Sequence, residues 1–551
     1  MADILKEVIK VLPEGKISDA VFEGANIVLY TKDKKYFLDN EGTIREAVKE
    51  FRKRIELRAD PALCLEPEKT KKIIMEIIPA EAGAQEFIFD PPRSMVIIHA
   101  DKPGLVIGKQ GEILKEIKEK TCWIPLIKRL PPIRSKLIES IRAVLYEHAD
   151  ERKKFLNKTG HRIYDGWIRE KKQEWIRLSC LGASRQVGRA CFLLQTPESR
   201  VLIDCGIDPS QDDVGSYPYF DAPEFNISEI DAVVVTHSHL DHSGLIPLLF
   251  KFGYEGPVYC TAPTRDVMVL LQLDMVKIQR AEGKEPIYTS DEVRQMVLHT
   301  ICPDYEEVTD ITPDVRLTMY NAGHVLGSAI VHFNIGNGLH NFAYTGDLKY
   351  ARTNVLEAAN TQFPRLETLM IESTYGGKEN LMAEHEADEY MVKVIKETFE
   401  RGGKVLMPVL GSGRAQEVMI IVERLIREKR VPEAPIYIDG MLWDVTAIHT
   451  AYPEYLNRNM REQIFHQEQN PFLSPLFKQV GSDKERKKII LEEGPCLLLA
   501  TSGMLMGGPS VEYLKGLCEG RKHSLVFSCY QPPGSLGYKI REGDKEIVLR
   551  E

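Results

Sequence analysis

Apolar residues are distributed along this chain in three textures. Up to about residue 148, short alternating runs such as NIVLY and KKYFLD give way to helix-period stretches such as EGTIREAVKEF, which ends near the Asp60-Pro61 break. A switch from period two to period 3.6 predicts small α+β units, here 1–67 and 68–148. The charged stretch ERKKFLNKTGHRIYDGWIREKKQEW favours helix and reads as a connector over 149–177. From 178, the runs RVLIDCG, DAVVVTH, NFAYTGD and ETLMIEST each end in a polar or acidic cluster. Such runs predict strands buried on both faces, with functional groups on the loops that follow. This α/β unit spans 178–377. The block 378–551 repeats the texture in GGKVLMPV, the helix GRAQEVMIIVERLIRE, APIYIDG and PCLLLATSG.

Composition changes this picture at one place. With 551 residues, 43% apolar and 28% charged, the chain has the make-up of a soluble protein of several domains. No apolar run approaches the roughly 20 residues that span a bilayer, and MADILKEVIK lacks a signal peptide's apolar core. A cytoplasmic protein with no membrane partner is expected. The ten cysteines are scattered from Cys64 to Cys529 with no C-x-x-C, so reduced thiols are expected and any metal must be held by nitrogen and oxygen. The net charge of −9 hides an asymmetry: Lys102 to Lys172 carries 18 Lys plus Arg against 9 Asp plus Glu. A basic segment on an acidic chain is the footprint of a local polyanion site.

The stretch VVVTHSHLDHSG concentrates scarce histidine, placing His237, His239 and His242 around Asp241. His237 and His239 lie two apart, so an extended turn projects both imidazoles to one side. Asp241 and His242 open the next helix and face a neighbouring point. One metal cannot easily take four ligands from so short a loop, whereas two adjacent metals can. Imidazole and carboxylate suit Zn²⁺ ahead of Fe or Mn. AGHVLGSA presents His324 between glycines, and YTGDLK presents Asp347, whose two oxygens can bridge two cations. Asp204, in VLIDCG, is suited to orient a ligating histidine by accepting its second ring N–H.

The series LIDCG, THSHLDHSG, AGHVLGSA and YTGDLK resembles the metallo-β-lactamase fold in order and separation. IESTYGG with Glu372, and the block containing PVLGSGRAQE and TSGMLMGG, resembles the β-CASP subfamily, whose members cut nucleic acids. The resemblance runs from about 178 to the end of the chain. It implies an α/β fold in which a metallo-β-lactamase αββα sandwich carries an inserted β-CASP α/β domain that roofs the metal site. It also implies two Zn²⁺, one on His237, His239 and His324, the other on Asp241 and His242, with Asp347 bridging. Asp241 and Glu372 then count as catalytic, Glu372 steering or protonating a partner histidine, in the hydrolysis of an RNA phosphodiester.

Upstream, SMVIIHADKPGLVIGKQGEILKEIKEKTCWIPLIK orders a strand, a short helix, Gly108-Lys109-Gln110-Gly111, a second helix and a closing strand. Ile113, Leu114 and Ile117 turn the second helix's apolar face inward. The glycines let backbone amides approach a sugar-phosphate strand at a helix N-terminus, and Lys109 adds a cation. This resembles a KH domain with its clamp for single-stranded RNA. Residues 1–67 have a similar texture but no G-x-x-G, with EGTIRE the nearest approach, and read as a degenerate KH-like unit of structural role. Both small units are thus expected to be α+β KH-like domains.

Two such units before a β-CASP nuclease resemble the archaeal cleavage and polyadenylation specificity factor-like ribonucleases. That implies endonucleolytic cutting of RNA, with 5′–3′ trimming in some members, in 3′-end formation and transcription termination. The transcription machinery becomes an expected partner; oligomeric state stays open. The family pattern continues with a histidine that helps protonate the leaving oxygen and another that completes the second metal. Downstream of Glu372 the chain offers His385, His449, His466 and His523, none at the right place in that order. On this ground the chain reads as the front of a longer protein or a truncated form, and weak or absent cutting is expected of it. Two other classes compete. A small-molecule metallo-hydrolase would need neither the roof block nor the basic G-x-x-G unit, and a non-catalytic RNA-binding subunit would not need six intact ligands.

Overall fold

The computed structural model describes residues 4–165, 175–208, 211, 213–377, 384–531, 534–544 and 546. Its first two units are topological copies of each other. In the first, the strand Asp19–Glu23 pairs antiparallel with Asn26–Thr31, which pairs parallel with Ile55–Ala59. The helices Lys34–Leu38 and Glu41–Phe51 cross between the parallel pair. In the second, Ala84–Asp90, Met95–Ala100 and Ile124–Arg129 repeat that order and direction, with the helices Pro103–Ile107 and Glu112–Thr121 in the crossover. The strand–helix–helix–strand order expected around Gly108 is the one observed.

The charged connector does more than connect. It begins as the helix Ala149–Asp165, while 166–174 lie outside the described residues. Ile163 and Tyr164 enter the core of the first unit, and Asn157 Oδ1 accepts from the Phe22 amide at 2.9 Å. Phe155, Leu156, Ile163 and Tyr164 are buried on one side of a helix whose remaining positions are mostly charged. So few apolar residues suffice because they recur at helical spacing. A buried ion cluster ties the two units together. Arg58 Nη1 lies 2.7 Å from Glu23 Oε1, and Arg93 Nη2 lies 2.6 Å from Glu23 Oε2. Burial pushes the Glu23 carboxyl up, but Arg93 and Arg58 outweigh it and hold the group down at about 2.

Two sheets packed face to face follow. The first has six strands in the order Arg177–Cys180, Phe192–Gln195, Arg200–Ile203, Ala232–Val234, Val258–Tyr259 and Thr300–Ile301. The second has five, in the order Thr309–Asp310, Val315–Asn321, Ala329–Ile335, His340–Tyr344 and Thr368–Met370. Phe192, Leu194, Ile203 and Val234 meet Leu317, Met319, Val331 and Phe333 between the sheets. The alternate residues Leu193, Leu202 and Val233 pack outward against Met268 and Val269 of the helix Ala262–Ala281 and Val297 of Ser290–His299. Burial on both faces therefore holds for RVLIDCG and DAVVVTH. It fails for ETLMIEST: among the described residues Thr368–Met370 pairs on one side only, with Leu369 47% and Ile371 58% exposed. An apolar run cannot announce which strand lies at an edge.

The last unit is a five-stranded parallel sheet in the order Phe477–Val480, Ile436–Asp439, Leu497–Ala500, Val405–Pro408 and Ser524–Leu525. The helices Glu384–Glu400 and Arg414–Arg427 cover one face, and Asp483–Leu491 with Pro509–Leu517 cover the other. A separate apolar cluster seats this unit on the sandwich, joining Ile420, Ile448 and Phe472 to Val267, Leu270 and Leu326. Leu326 is two residues from His324, so the packing that docks the roof also fixes a candidate ligand. Among the described residues no helix is long and apolar enough to cross a membrane.

Candidate metal centre and nucleic-acid clamp

The strand Ala232–Val234 delivers the histidine loop at its C-terminal end. Val235 still donates its amide to the Tyr259 carbonyl, and the chain then turns through Thr236 into the helix Leu240–Ser243. Behind the loop lies Asp204, wholly buried at the end of the neighbouring strand. Its carboxylate accepts from the Thr236 amide, the Thr236 hydroxyl and His242 Nδ1, each at 2.8 Å. An Asp204 bond to Nδ1 turns His242 Nε2 outward as the free ligand atom. Thr236 escaped the sequence reading; its one signal was a hydroxyl directly before the first histidine. Gly206 lets the loop dock, since a Cβ there would stand 1.7 Å from the Asp241 carbonyl oxygen. The Ala190 amide donates to that same oxygen at 2.8 Å.

His324 and Asp347 arrive from the opposite sheet, on the loops after Val315–Asn321 and His340–Tyr344. His239 Nδ1 lies 3.2 Å from His237 Nε2 and 3.3 Å from His324 Nε2. Two tetrahedral ligands at a Zn–N distance of about 2.0–2.1 Å stand roughly 3.3–3.4 Å apart, so these three nitrogens fit one ion. Asp347 Oδ2 faces that group, 3.6 Å from His324 Nε2 and 4.0 Å from His237 Nε2. Its Oδ1 faces the other way, 3.5 Å from His242 Nε2, which is 4.0 Å from Asp241 Oδ2. Two sets of donors result: His237, His239, His324 and Asp347, and His237, Asp241 and His242. Nitrogen and carboxylate oxygen without sulfur suit a divalent ion such as zinc.

The electrostatics suit ligand duty at His237 and His324, whereas His242 must give up a proton before its Nε2 can bind a metal. Burial holds His237 well below its ordinary range and brings His324 down to about 3, so both imidazoles are neutral. For His242 burial opposes charge, but Asp204 and Asp241 outweigh it and hold the ring well above its ordinary range. Burial alone would raise Asp347; the His242 hydrogen bond and the neighbouring imidazoles instead hold it well below the carboxylate range.

Ser328, also unnoticed in the sequence, fixes the His324 loop: its Oγ accepts from the His324 and Val325 amides at 3.1 and 3.2 Å. Glu372 hangs on the same framework, its amide donating to Thr345 Oγ1 at 3.3 Å. Its own carboxylate accepts from the Thr374 amide at 2.8 Å and closes a turn. Of the downstream histidines, His449 is buried with Nδ1 at 2.8 Å from the Val445 carbonyl, and His523 Nδ1 accepts from the Lys404 amide at 3.0 Å. His466 is exposed, 3.9 Å from Glu462. Among the described residues neither these three nor His385 joins a group able to hold a metal.

The G-x-x-G loop occupies the joint between the two crossover helices of the second unit. Gly108, Gln110 and Gly111 all have positive φ, at 75°, 54° and 80°, and Gly111 opens the helix Glu112–Thr121. Lys109 and Gln110 are exposed, with Leu105 and Ile107 part-exposed just before them. Ile117 is buried, while Ile113 and Leu114 are half-buried. At the matching joint of the first unit, Asn40 Nδ2 donates to the Tyr36 and Phe37 carbonyls at 2.9 and 2.7 Å. That joint caps its own helix.

Comparison with known proteins matches every unit. A KH domain model matches 69–121, the metallo-beta-lactamase superfamily domain 193–374 and the Beta-Casp domain 415–540. Residues 1–64 match the KH domain of transcription termination factor FttA, so the first unit is a KH domain despite lacking the glycines. The transcription termination factor FttA of Methanocaldococcus jannaschii is 52% identical over 551 residues, covering 100% of this chain and 86% of that protein. That of Methanococcus maripaludis is 51% identical, covering 97% and 84%, and that of Thermococcus kodakarensis is 48% identical, covering 99% and 86%. Likeness that begins in the first KH domain and continues through the roof leaves one assignment: the chain belongs to the FttA family of transcription termination factors.

Proposed function

We propose that this chain is a ribonuclease of transcription termination and RNA 3′-end processing, cutting single-stranded RNA at two Zn²⁺ and gripping it at Gly108–Gly111. The observation that carries the reading is the sharing of ligands: His237 belongs to both donor groups, and Asp347 offers one oxygen to each. His237, His239 and His324 would hold one ion and Asp241 with His242 the other, Asp347 lying between. When bound, such ions supply Lewis acidity, activating water near neutral pH and offsetting charge on phosphoryl oxygens.

The protein's own residues do the positioning. Asp204 and Thr236 keep His242 in one orientation, and Ser328 keeps His324 in another. Glu372 acts as a positioning residue, closing the turn suspended from Thr345, two residues before Asp347. Lys109, Gln110 and the backbone at Gly108 and Gly111 take the sugar-phosphate strand, while the first KH domain serves as scaffold. The cytoplasm and the transcription machinery are the expected setting and partner.

Purified chain incubated with labelled RNA should cut it only weakly, since none of the four downstream histidines joins a metal-holding group among the described residues. Asp241→Ala and His242→Ala should abolish that cutting while leaving RNA binding in place. Metal analysis should find about two zinc ions per chain. Undiminished cutting by both variants would overturn the assignment of the activity to this loop.

A further inference from the structure

A turn of the roof that leads from the strand Val405–Pro408 into the helix Arg414–Arg427 packs against the His324 segment. A Cβ on Gly413 would stand 2.6 Å from Val325 Cγ1 and 3.7 Å from the His324 carbonyl oxygen. Arg414 therefore begins its helix beside the backbone of a candidate ligand. Gln416 holds the turn from both ends, its Oε1 accepting from the Gly413 amide at 3.0 Å and its Nε2 donating to the Gly411 carbonyl at 3.4 Å.

Two other arginines of this helix have carboxylate partners. Arg424 lies 2.6 Å from Asp388, and Arg427 lies 3.5 Å from Glu423. Arg414 is exposed, and among the described residues no carboxylate pairs with it. Its place is electrostatically adverse as well. A helix N-terminus carries partial positive charge, so a cation in the first turn is disfavoured where an anion would be stabilised by about 0.3–1 kcal/mol. Two residues earlier Ser412, 3% exposed, has a buried Oγ with no hydrogen-bond partner. The Arg414 amide is taken by the Ser412 carbonyl at 3.2 Å, so what suits an oxyanion here is the guanidinium, the unused hydroxyl and the positive end of a fourteen-residue helix.

We propose that Arg414 grips a backbone phosphate of the RNA strand next to the bond cut at the metal centre, with Ser412 as a second donor. The inference rests on the RNA-cutting reading above and gives the roof a part in holding substrate. A phosphate bound there satisfies the guanidinium and the helix end at once, relieving their mutual repulsion. The chain would then hold RNA at two places, the G-x-x-G loop and this turn.

Salt dependence of single-stranded RNA binding by the whole chain tests it, because each phosphate contact contributes about −0.7 to the slope of log affinity against log salt. Arg414→Ala should weaken binding roughly tenfold at low salt and flatten the slope by about 0.7, with metal content and melting temperature unchanged. Arg414→Lys should keep the slope but lose part of the affinity, since an ammonium cannot form the bidentate pair. Inorganic phosphate should compete no better than its ionic strength predicts. Wild-type affinity and slope in Arg414→Ala would overturn the proposal, as would tight inorganic phosphate binding with an unchanged RNA slope. A Gly108→Asp, Gly111→Asp variant separates the failures. Should it alone weaken binding, the RNA reading stands and the Arg414 contact falls; should the intact chain bind no RNA, the RNA reading itself falls.

Discussion

At the metal centre His242 and the His324 loop are held from behind by buried groups, whereas at the G-x-x-G loop Lys109 and Gln110 point to solvent. Asp204 fastens His242 and the Thr236 turn, and Ser328 fastens the His324 loop. Lys109 and Gln110, by contrast, stand exposed on a joint with three positive φ angles. The difference matches the tasks proposed for the two regions. Ligands for two ions must keep their separations to a fraction of an ångström, which takes burial and hydrogen bonds on every side. A clamp on a flexible strand needs access and free amides. The first KH domain offers a contrast: the strand order is the same, but its joint lacks the glycines and is fastened by Asn40 to the Tyr36 and Phe37 carbonyls.

Breaking the rigid side should have the largest effect. His237→Ala removes the side chain shared by both donor groups and should lower RNA cutting by at least about a thousandfold, with metal content falling in parallel. A pH effect should come next and fall on the clamp's domain. His99, in its central strand, is 2% exposed with neither ring nitrogen hydrogen-bonded. Burial, with Arg142 and Lys128, pushes it down to about 4. The unfolded chain protonates this group near pH 6.5 and the folded chain does not until about 4. Stability is thus complete above pH 6.5 and declines towards pH 4, by up to about 3 kcal/mol. Melting followed over that window should show a flatter dependence in His99→Leu.

Smaller effects sharpen the contrast. Asp204→Asn keeps the shape behind His242 but loses the charge, and should weaken metal binding about 10–100-fold in a chelator competition. Gly108→Asp with Gly111→Asp should cost roughly tenfold in RNA affinity and leave metal content alone. Asn40→Ala should lower stability by about 1 kcal/mol in a denaturant titration while RNA affinity stays put. A fall in RNA affinity there would return the first domain's joint to the binding surface.

Much of the fold was legible. RVLIDCG, DAVVVTH, APIYIDG and PCLLLATSG are strands, and GRAQEVMIIVERLIRE is a helix, because compact apolar runs and a 3.6-residue period are local signals. ETLMIEST departs from the doubly buried pattern because position within a sheet depends on partners outside the run. The helix Ala149–Asp165 hides its core contribution from the sequence because its buried stripe is short and its charge dominates the composition. Thr236 and Ser328 were invisible as site residues: an isolated hydroxyl carries no pattern until its acceptor or donor is known.

The sequence by itself determined the local pieces: the spacing of His237, His239, Asp241 and His242 on one loop, and the glycines of the clamp on one joint. Only the tertiary structure decided that His324 and Asp347 turn towards that loop, that Asp204 lies behind it, and that the roof's Gly413 packs on the His324 segment. Periodicity tells which face of an element is buried but not how two sheets and a roof domain are set against each other. That setting comes from side-chain packing between Phe192, Ile203, Leu317 and Phe333, and around Leu326, where many weak contacts fix one arrangement together.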